Sequence, residues 1–179
     1  RFDVREENGE FVPGETGGME TYARELSSAL VQARPDVRFT AFVNRDAVDG
    51  PWAESMDVVV VPVSVRRRTE WVRGEQQLLP PLARRAGVDV LHSLASTAPA
   101  WGPQTRIVTI YDVIYRIHPE AHSRVRGLGM RVLVPLAART AHRVIAPSRS
   151  TADDLTRLLH VPAEKIDVIP GGVGSSPVA

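Results

Sequence analysis

The sequence predicts an α/β fold: a parallel sheet with helices on both faces. Two observations predict it. Short β-branched runs alternate with longer amphipathic stretches along the whole chain, the pattern of successive strand–helix–strand units. One of those runs, Asp57 to Val63, is almost continuous valine, which suits a strand buried on both faces. The length agrees. A chain of 179 residues can bury roughly 70% of the surface its unfolded form exposes, so it needs no covalent staple. It carries no cysteine, which excludes disulfides and thiolate metal sites.

The elements follow in order. Phe2 and Val4 are compatible with the end of a first strand, which the pattern leaves open. Asn8 to Gly18 holds four glycines and one proline and is a loop. A helix is predicted from about Met19 to Ala33, where Met19, Tyr22, Ala23, Leu26, Ala29, Leu30 and Ala33 form one apolar stripe. Pro35 lies just past its end, where helices stop. Val37 to Val43 alternates as a strand, and the valine run is the next. Glu70 to Ala86 has helical spacing, with Pro80-Pro81 expected to kink or break it and Gly87 to cap it.

Val88 to Leu91 is a short strand ending at His92, and Arg106 to Ile110 is another ending at Tyr111-Asp112. Ser123 to Ala141 is a helix loosened by Gly127, Gly129 and Pro135. Arg143 to Ala146 is a strand ending at Pro147-Ser148. Ser150 to Leu159 is a helix with Ser150 and Asp153 as a start signal. Ile166 to Ile169 is the last strand, followed by a glycine- and proline-rich tail that reads as a linker.

Composition narrows the function. Hydrophobic residues make up 43% and charged residues 24% of the chain, which is globular rather than disordered. Twenty-two basic against 21 acidic residues leave a formal charge of +1. That balance argues against a general nucleic-acid binder, which shows a strongly basic face. No apolar run approaches a membrane span. The first residues, Arg1-Phe2-Asp3, are neither a start methionine nor a signal peptide, so the chain is expected to be a piece of something longer.

In an open parallel sheet ligands bind beyond the carboxyl ends of the strands. The residues that follow each strand are therefore the candidates. They are Gly17 and Gly18 before the first helix; His92, Ser93 and Ser96; Tyr111 and Asp112; and Ser148 with Arg149. Gly17-Gly18 offers bare backbone N–H groups and a positive helix end, which suit an anion; a plain turn is the alternative. His92 titrates near neutrality and could bind a hydroxyl or move a proton, or be a partly buried histidine hydrogen-bonded to backbone. Asp112, between apolar stretches, must either be satisfied by hydrogen bonds, as a cap of the next turn, or face a cleft.

Ser148 is expected to organise the helix start. Arg66-Arg67-Arg68 reads as a solvated loop. Together with arginines 124, 126, 131 and 139 it also suits contact with an anionic membrane surface. No histidines and carboxylates stand at metal-ligand spacing. There is also no nucleophile elbow, Walker loop or dinucleotide fingerprint.

Several segments, taken in order, carry a resemblance. They are Gly17-Gly18-Met19-Glu20-Thr21-Tyr22; Val88-Asp89-Val90-Leu91-His92; Thr109-Ile110-Tyr111-Asp112-Val113; Ala141-His142-Arg143-Val144-Ile145-Ala146-Pro147-Ser148; and Val161 to Val173. From Gly14 to Gly174 the chain resembles the N-terminal domain of retaining glycosyltransferases of family 4, also called glycosyl transferases group 1, which have the GT-B fold. The resemblance implies a Rossmann-like, doubly wound parallel sheet forming half of a two-domain enzyme. Residues 1–170 would be the acceptor-side domain and 171–179 the start of the interdomain linker or a tail. The C-terminal domain, with the family's paired donor-gripping glutamates, would be missing.

The implied reaction moves a hexose from a nucleoside-diphosphate sugar to an acceptor hydroxyl, with no metal or other cofactor. The acceptor would be a sugar, lipid-linked or a small-molecule glycoside. Gly17 and Gly18 would approach the donor phosphate or sugar. His92, Ser93 and Tyr111 would line the acceptor side, and Asp112 would carry a catalytic role. Tyr111 replaces a histidine common in the family; a phenol donates a hydrogen bond but does not shuttle protons at neutral pH. The resemblance implies a bacterial protein in the cytoplasm, with a peripheral position at the inner membrane face left open. The piece alone is expected to be inactive. Rival readings are half of a GT-B-like sugar-nucleotide epimerase or phosphorylase, or a non-enzymatic sugar- or nucleotide-binding module.

Overall fold

The computed structural model describes residues 2–5, 18–48, 50, 55–64, 67–118 and 124–172. Among them seven strands form one sheet: β1 Phe2–Arg5, β2 Phe39–Val43, β3 Asp57–Val60, β4 Val90–Ser93, β5 Thr105–Thr109, β6 Arg143–Ala146 and β7 Ile166–Val168. Their order is β3-β2-β1-β4-β5-β6-β7, and every neighbouring pair is parallel. The chain winds outward from β1 to β3, then returns to the other side of β1 at β4. This is the doubly wound, Rossmann-like order, and its switch point lies between β1 and β4. The first strand, left open by its sequence, is thus central: Val4 pairs with Ala41 on one side and His92 on the other.

Helices cover both faces, as expected. Helix α1 (Gly18–Ala33) packs Tyr22, Ala23, Leu26 and Leu30 with Phe39, Ala41 and Val43 of β2. The opposite side of β2 presents Phe42 to Leu79, Ala83 and Leu91. The pleat alternates these residues between faces, so β2 is buried on both. A third cluster joins Val108 and Ile110 to Val134, Ala137 and Ala138 of helix α5 (Arg124–Thr140) and to Leu155 and Leu159 of helix α6 (Arg149–Leu159). Pro135 sits inside α5 without ending it.

Two expectations are corrected, that for the valine run and that for the start of the helix at Ser150. The valine run is an edge strand, not one buried on both faces: Asp57 and Val60 are exposed. It also stops at Val60: Val61 N–H still reaches Val43 O at 2.8 Å, but the next inward N–H, that of Val63, turns back to Val61 O at 2.7 Å. The stretch expected to be kinked or broken at Pro80-Pro81 is indeed interrupted: α2 (Arg68–Arg73), a π turn (Gly74–Leu78) and α3 (Leu79–Arg85). Pro80 can donate no N–H to the carbonyl four residues back, and its ring crowds that carbonyl. The π turn widens the helix there, with Leu79 N–H bonding Gly74 O. The freed Gln76 carbonyl accepts the Trp101 indole N–H at 2.6 Å.

Helix α6 starts on Ser148, whose Oγ accepts the Thr151 N–H at 3.1 Å; Ser150 lies inside the helix rather than capping it. Ser148→Ala should cost about 1 kcal/mol, the usual worth of such a cap, read as a lower denaturation midpoint with an unchanged slope.

The connection from β4 to β5 contains no helix. Residues 94–99 are buried, so their backbone polar groups need partners. The π turn supplies some of them and braces the segment. Gln76 Nε2 donates to Ala98 O and Gln76 Oε1 accepts from Ala100 N–H, both at 3.0 Å. The fully buried Glu75 accepts the Thr97 hydroxyl at 2.8 Å.

Candidate functional site

Parallel strands joined by helices bring every strand's carboxyl end, and every following helix's amino end, to one edge. The candidates therefore gather around the β1–β4 switch point. Gly18 opens α1 there and is exposed. Among the described residues, a Cβ on Gly18 would meet nothing within 4 Å. Backbone N–H groups and the dipole at such a helix end favour a negative ligand. Gly17, Arg66, Ser123 and the tail from Val173 lie outside the described residues.

His92 and Ser93 end β4 and are 2% and 0% exposed. His92 projects on the α1 side of the sheet, where its Nε2 lies 2.8 Å from Thr109 Oγ1. Burial strips the imidazolium of solvent and pushes its pKa down to about 4, so the ring is neutral at pH 7. The Tyr22 hydroxyl of α1 hydrogen-bonds the same threonine, while burial raises the Tyr22 pKa. Tyr22, Thr109 and His92 thus form an uncharged chain from helix to sheet. Of the two readings left open for His92, the structure is nearer the buried, hydrogen-bonded one, but the ring is fully buried and its partner is the Thr109 side chain rather than backbone.

Tyr111, two residues past β5, is half-buried. Its ring meets that of Tyr22 edge to face, with centroids 5.6 Å apart and planes at 87°, a favourable aromatic geometry. Its carbonyl accepts the Thr151 hydroxyl at 2.8 Å, tying the end of β5 to the start of α6. Asp112 is exposed, and its Oδ1 accepts the Ile114 N–H at 3.0 Å. It therefore starts the short helix α4 (Ile114–Ile117) while standing at the open edge, so both of its readings are present at once. Ser96 adopts a left-handed conformation, φ 65°, and its N–H bonds Thr109 O at 2.9 Å.

The edge thus brings together Gly18, Tyr111 and Asp112 on a base made by Tyr22, Thr109 and His92. The sequence places Tyr22 in the apolar stripe of α1, carries Thr109 only within a family-like segment without a role of its own, and does not single out Thr151. Their signal lies in cross-element contacts that no local pattern carries. Among the described residues no three His, Asp or Glu side chains are grouped to hold a metal ion.

Residues 16–176 match the sequence profile of Glycosyltransferase Family 4. The chain belongs to this glycosyltransferase family. Solved structures agree on the fold. HepE from Anabaena, in complex with UDP and glucose, superposes with a TM-score of 0.59 at 17% identity, over 96% of this chain and 44% of its own. The lipopolysaccharide outer core galactosyltransferase WaaB gives 0.59 at 11% identity, over 96% and 45%. A glycosyltransferase from Rickettsia africae gives 0.51 at 14%, over 96% and 42%. The family member described here therefore spans less than half the length of each. It has the Rossmann-like architecture of one GT-B half. Among the curated proteins none matches it.

Proposed function

We propose that this chain is the acceptor-side half of a retaining glycosyltransferase that moves a hexose from a nucleoside diphosphate to an acceptor hydroxyl. The observation that carries the reading is the family match over residues 16–176. Because the chain covers under half of the superposed structures, a donor-binding domain following in the same polypeptide belongs to the proposal. HepE is a complex with UDP and glucose and WaaB is a galactosyltransferase, which supports a nucleoside-diphosphate hexose as donor.

In this reading the amino end of α1 at Gly17-Gly18 stabilises the diphosphate as it gains charge. Tyr111 donates a hydrogen bond to the acceptor, with Ser93 and the neutral His92 supporting that side. Asp112 fixes and polarises the acceptor hydroxyl. The acceptor oxygen forms a bond to the anomeric carbon on the face the diphosphate leaves. The bond from that carbon to the phosphate oxygen breaks, and the acceptor proton passes to the departing diphosphate. The protein contributes orientation and charge stabilisation, and the scheme requires no metal.

The test is the full-length protein with a panel of nucleoside-diphosphate hexoses and acceptors, read by product mass and anomeric configuration. Transfer with retained configuration is expected, and residues 1–179 alone should show no turnover. An epimerised donor, a sugar phosphate, or binding without product would each replace the reading with one of its rivals.

A cytoplasmic enzyme acting on a lipid-linked acceptor would also need a membrane-facing surface. No helix among the described residues is long and apolar enough to cross a membrane. Ile114 and Ile117 on α4 are each 44% exposed, and Val132 on α5 is 60% exposed. The exposed Arg116 and Arg131 lie beside them. Apolar side chains flanked by cations suit insertion into an anionic lipid surface. Flotation with vesicles rich in anionic lipid should recover the protein, purely zwitterionic vesicles should not, and Ile117→Asp should weaken recovery several-fold.

A further inference from the structure

We infer that Tyr22 is a positioning residue for the acceptor side, acting through Tyr111; the assignment rests on the glycosyl-transfer reading above. Three contacts converge on this one side chain. It lies one turn into α1 from Gly18, so it is rigidly attached to the helix end that faces the open edge. Its ring packs edge to face on Tyr111. Its hydroxyl bonds Thr109, which in turn meets His92 Nε2 at 2.8 Å. Gly171, on the segment leaving β7, lies against the ring: a Cβ there would stand 3.8 Å from Cδ2 and 3.9 Å from Cε2.

The geometry explains why an aromatic ring with a hydroxyl stands here. Asp112 follows Tyr111 directly, beyond the end of β5. Thr151 fixes the Tyr111 carbonyl from the α6 side. Tyr22 fixes the Tyr111 ring from the α1 side, and its own hydroxyl anchor stops it rotating away. A leucine at position 22 would fill the apolar stripe equally well but would give Tyr111 neither an aromatic edge nor a fixed neighbour. Tyr22 therefore holds the residues proposed for the acceptor against α1.

The experiment measures acceptor KM, kcat and acceptor-free donor hydrolysis in the full-length enzyme. Tyr22→Leu should raise acceptor KM about tenfold, the size an edge-to-face aromatic pair supports. Donor hydrolysis should stay unchanged, and Tyr22→Phe should restore KM to within about threefold. In a Tyr111→Leu background, Tyr22→Leu should add nothing, because its effect runs through Tyr111. If Tyr22→Leu does not fold, Tyr22→Met takes its place in the same cycle. An unchanged KM, a parallel fall in donor hydrolysis, or a full effect in the Tyr111→Leu background would overturn the inference. A wild-type enzyme that transfers no sugar would instead bring down the functional reading itself.

Discussion

Between pH 7.5 and pH 5 this protein should lose about 2 kcal/mol of folding stability through His92 alone. The buried ring titrates at about 4, whereas in the unfolded chain it returns to its ordinary value near 6.5. Between those values the unfolded state binds the proton and the native state does not. Stability is therefore full above pH 6.5, falls as the pH drops through the window, and levels off below pH 4. The cause is desolvation: an imidazolium at this position would lie beneath α1 without water. Chemical denaturation of the wild type and of His92→Gln at both pH values isolates the effect, since all other groups titrate in both proteins. The variant should lose about 2 kcal/mol less than the wild type over this range. Equal losses would show that the ring accepts a proton where it stands.

Asp112→Asn in the full-length enzyme should lower sugar transfer about 100-fold, the usual worth of one fixed electrostatic group at a reacting centre. The asparagine is the informative change. Its side-chain oxygen can still accept the Ile114 N–H that the Asp112 carboxylate accepts now, so α4 keeps its start and the circular dichroism spectrum should not move. Asp112→Ala removes both the charge and the turn, and should add roughly 1 kcal/mol of destabilisation to the same loss of transfer. Wild-type transfer by Asp112→Asn would reduce Asp112 to a cap. Gly18→Val probes the other side of the edge. Its Cβ meets no described atom within 4 Å, so a loss of transfer with intact folding would report on the ligand rather than on the helix.

Much of this architecture was legible in order along the chain. The stripe of α1, the strand at Arg143–Ala146 and the sheet's parallel character follow from spacing alone, because backbone period and side-chain burial are linked locally. The candidate edge followed from topology, since parallel strands must end together. What spacing could not convey was depth. The valine run has the composition of a central strand yet lies at the edge. Phe2–Arg5 has too little apolar signal to predict, yet pairs on both sides. The Pro80-Pro81 pair announced a break in the helix, but only the indole of Trp101 meeting the Gln76 carbonyl shows how the break is satisfied.

The same division runs through the site. By itself the sequence determined the element types, the edge at which polar residues collect, and the family, because each depends on neighbours within a few residues or on ordered motifs. The tertiary structure alone decided that His92 is buried and neutral, that Asp112 caps a turn while remaining exposed, and that Tyr22 belongs with Tyr111. These properties depend on what α1, β5 and α6 place against one another from distant parts of the chain. Desolvation and hydrogen-bond partnership are set by those meetings, not by spacing along the sequence.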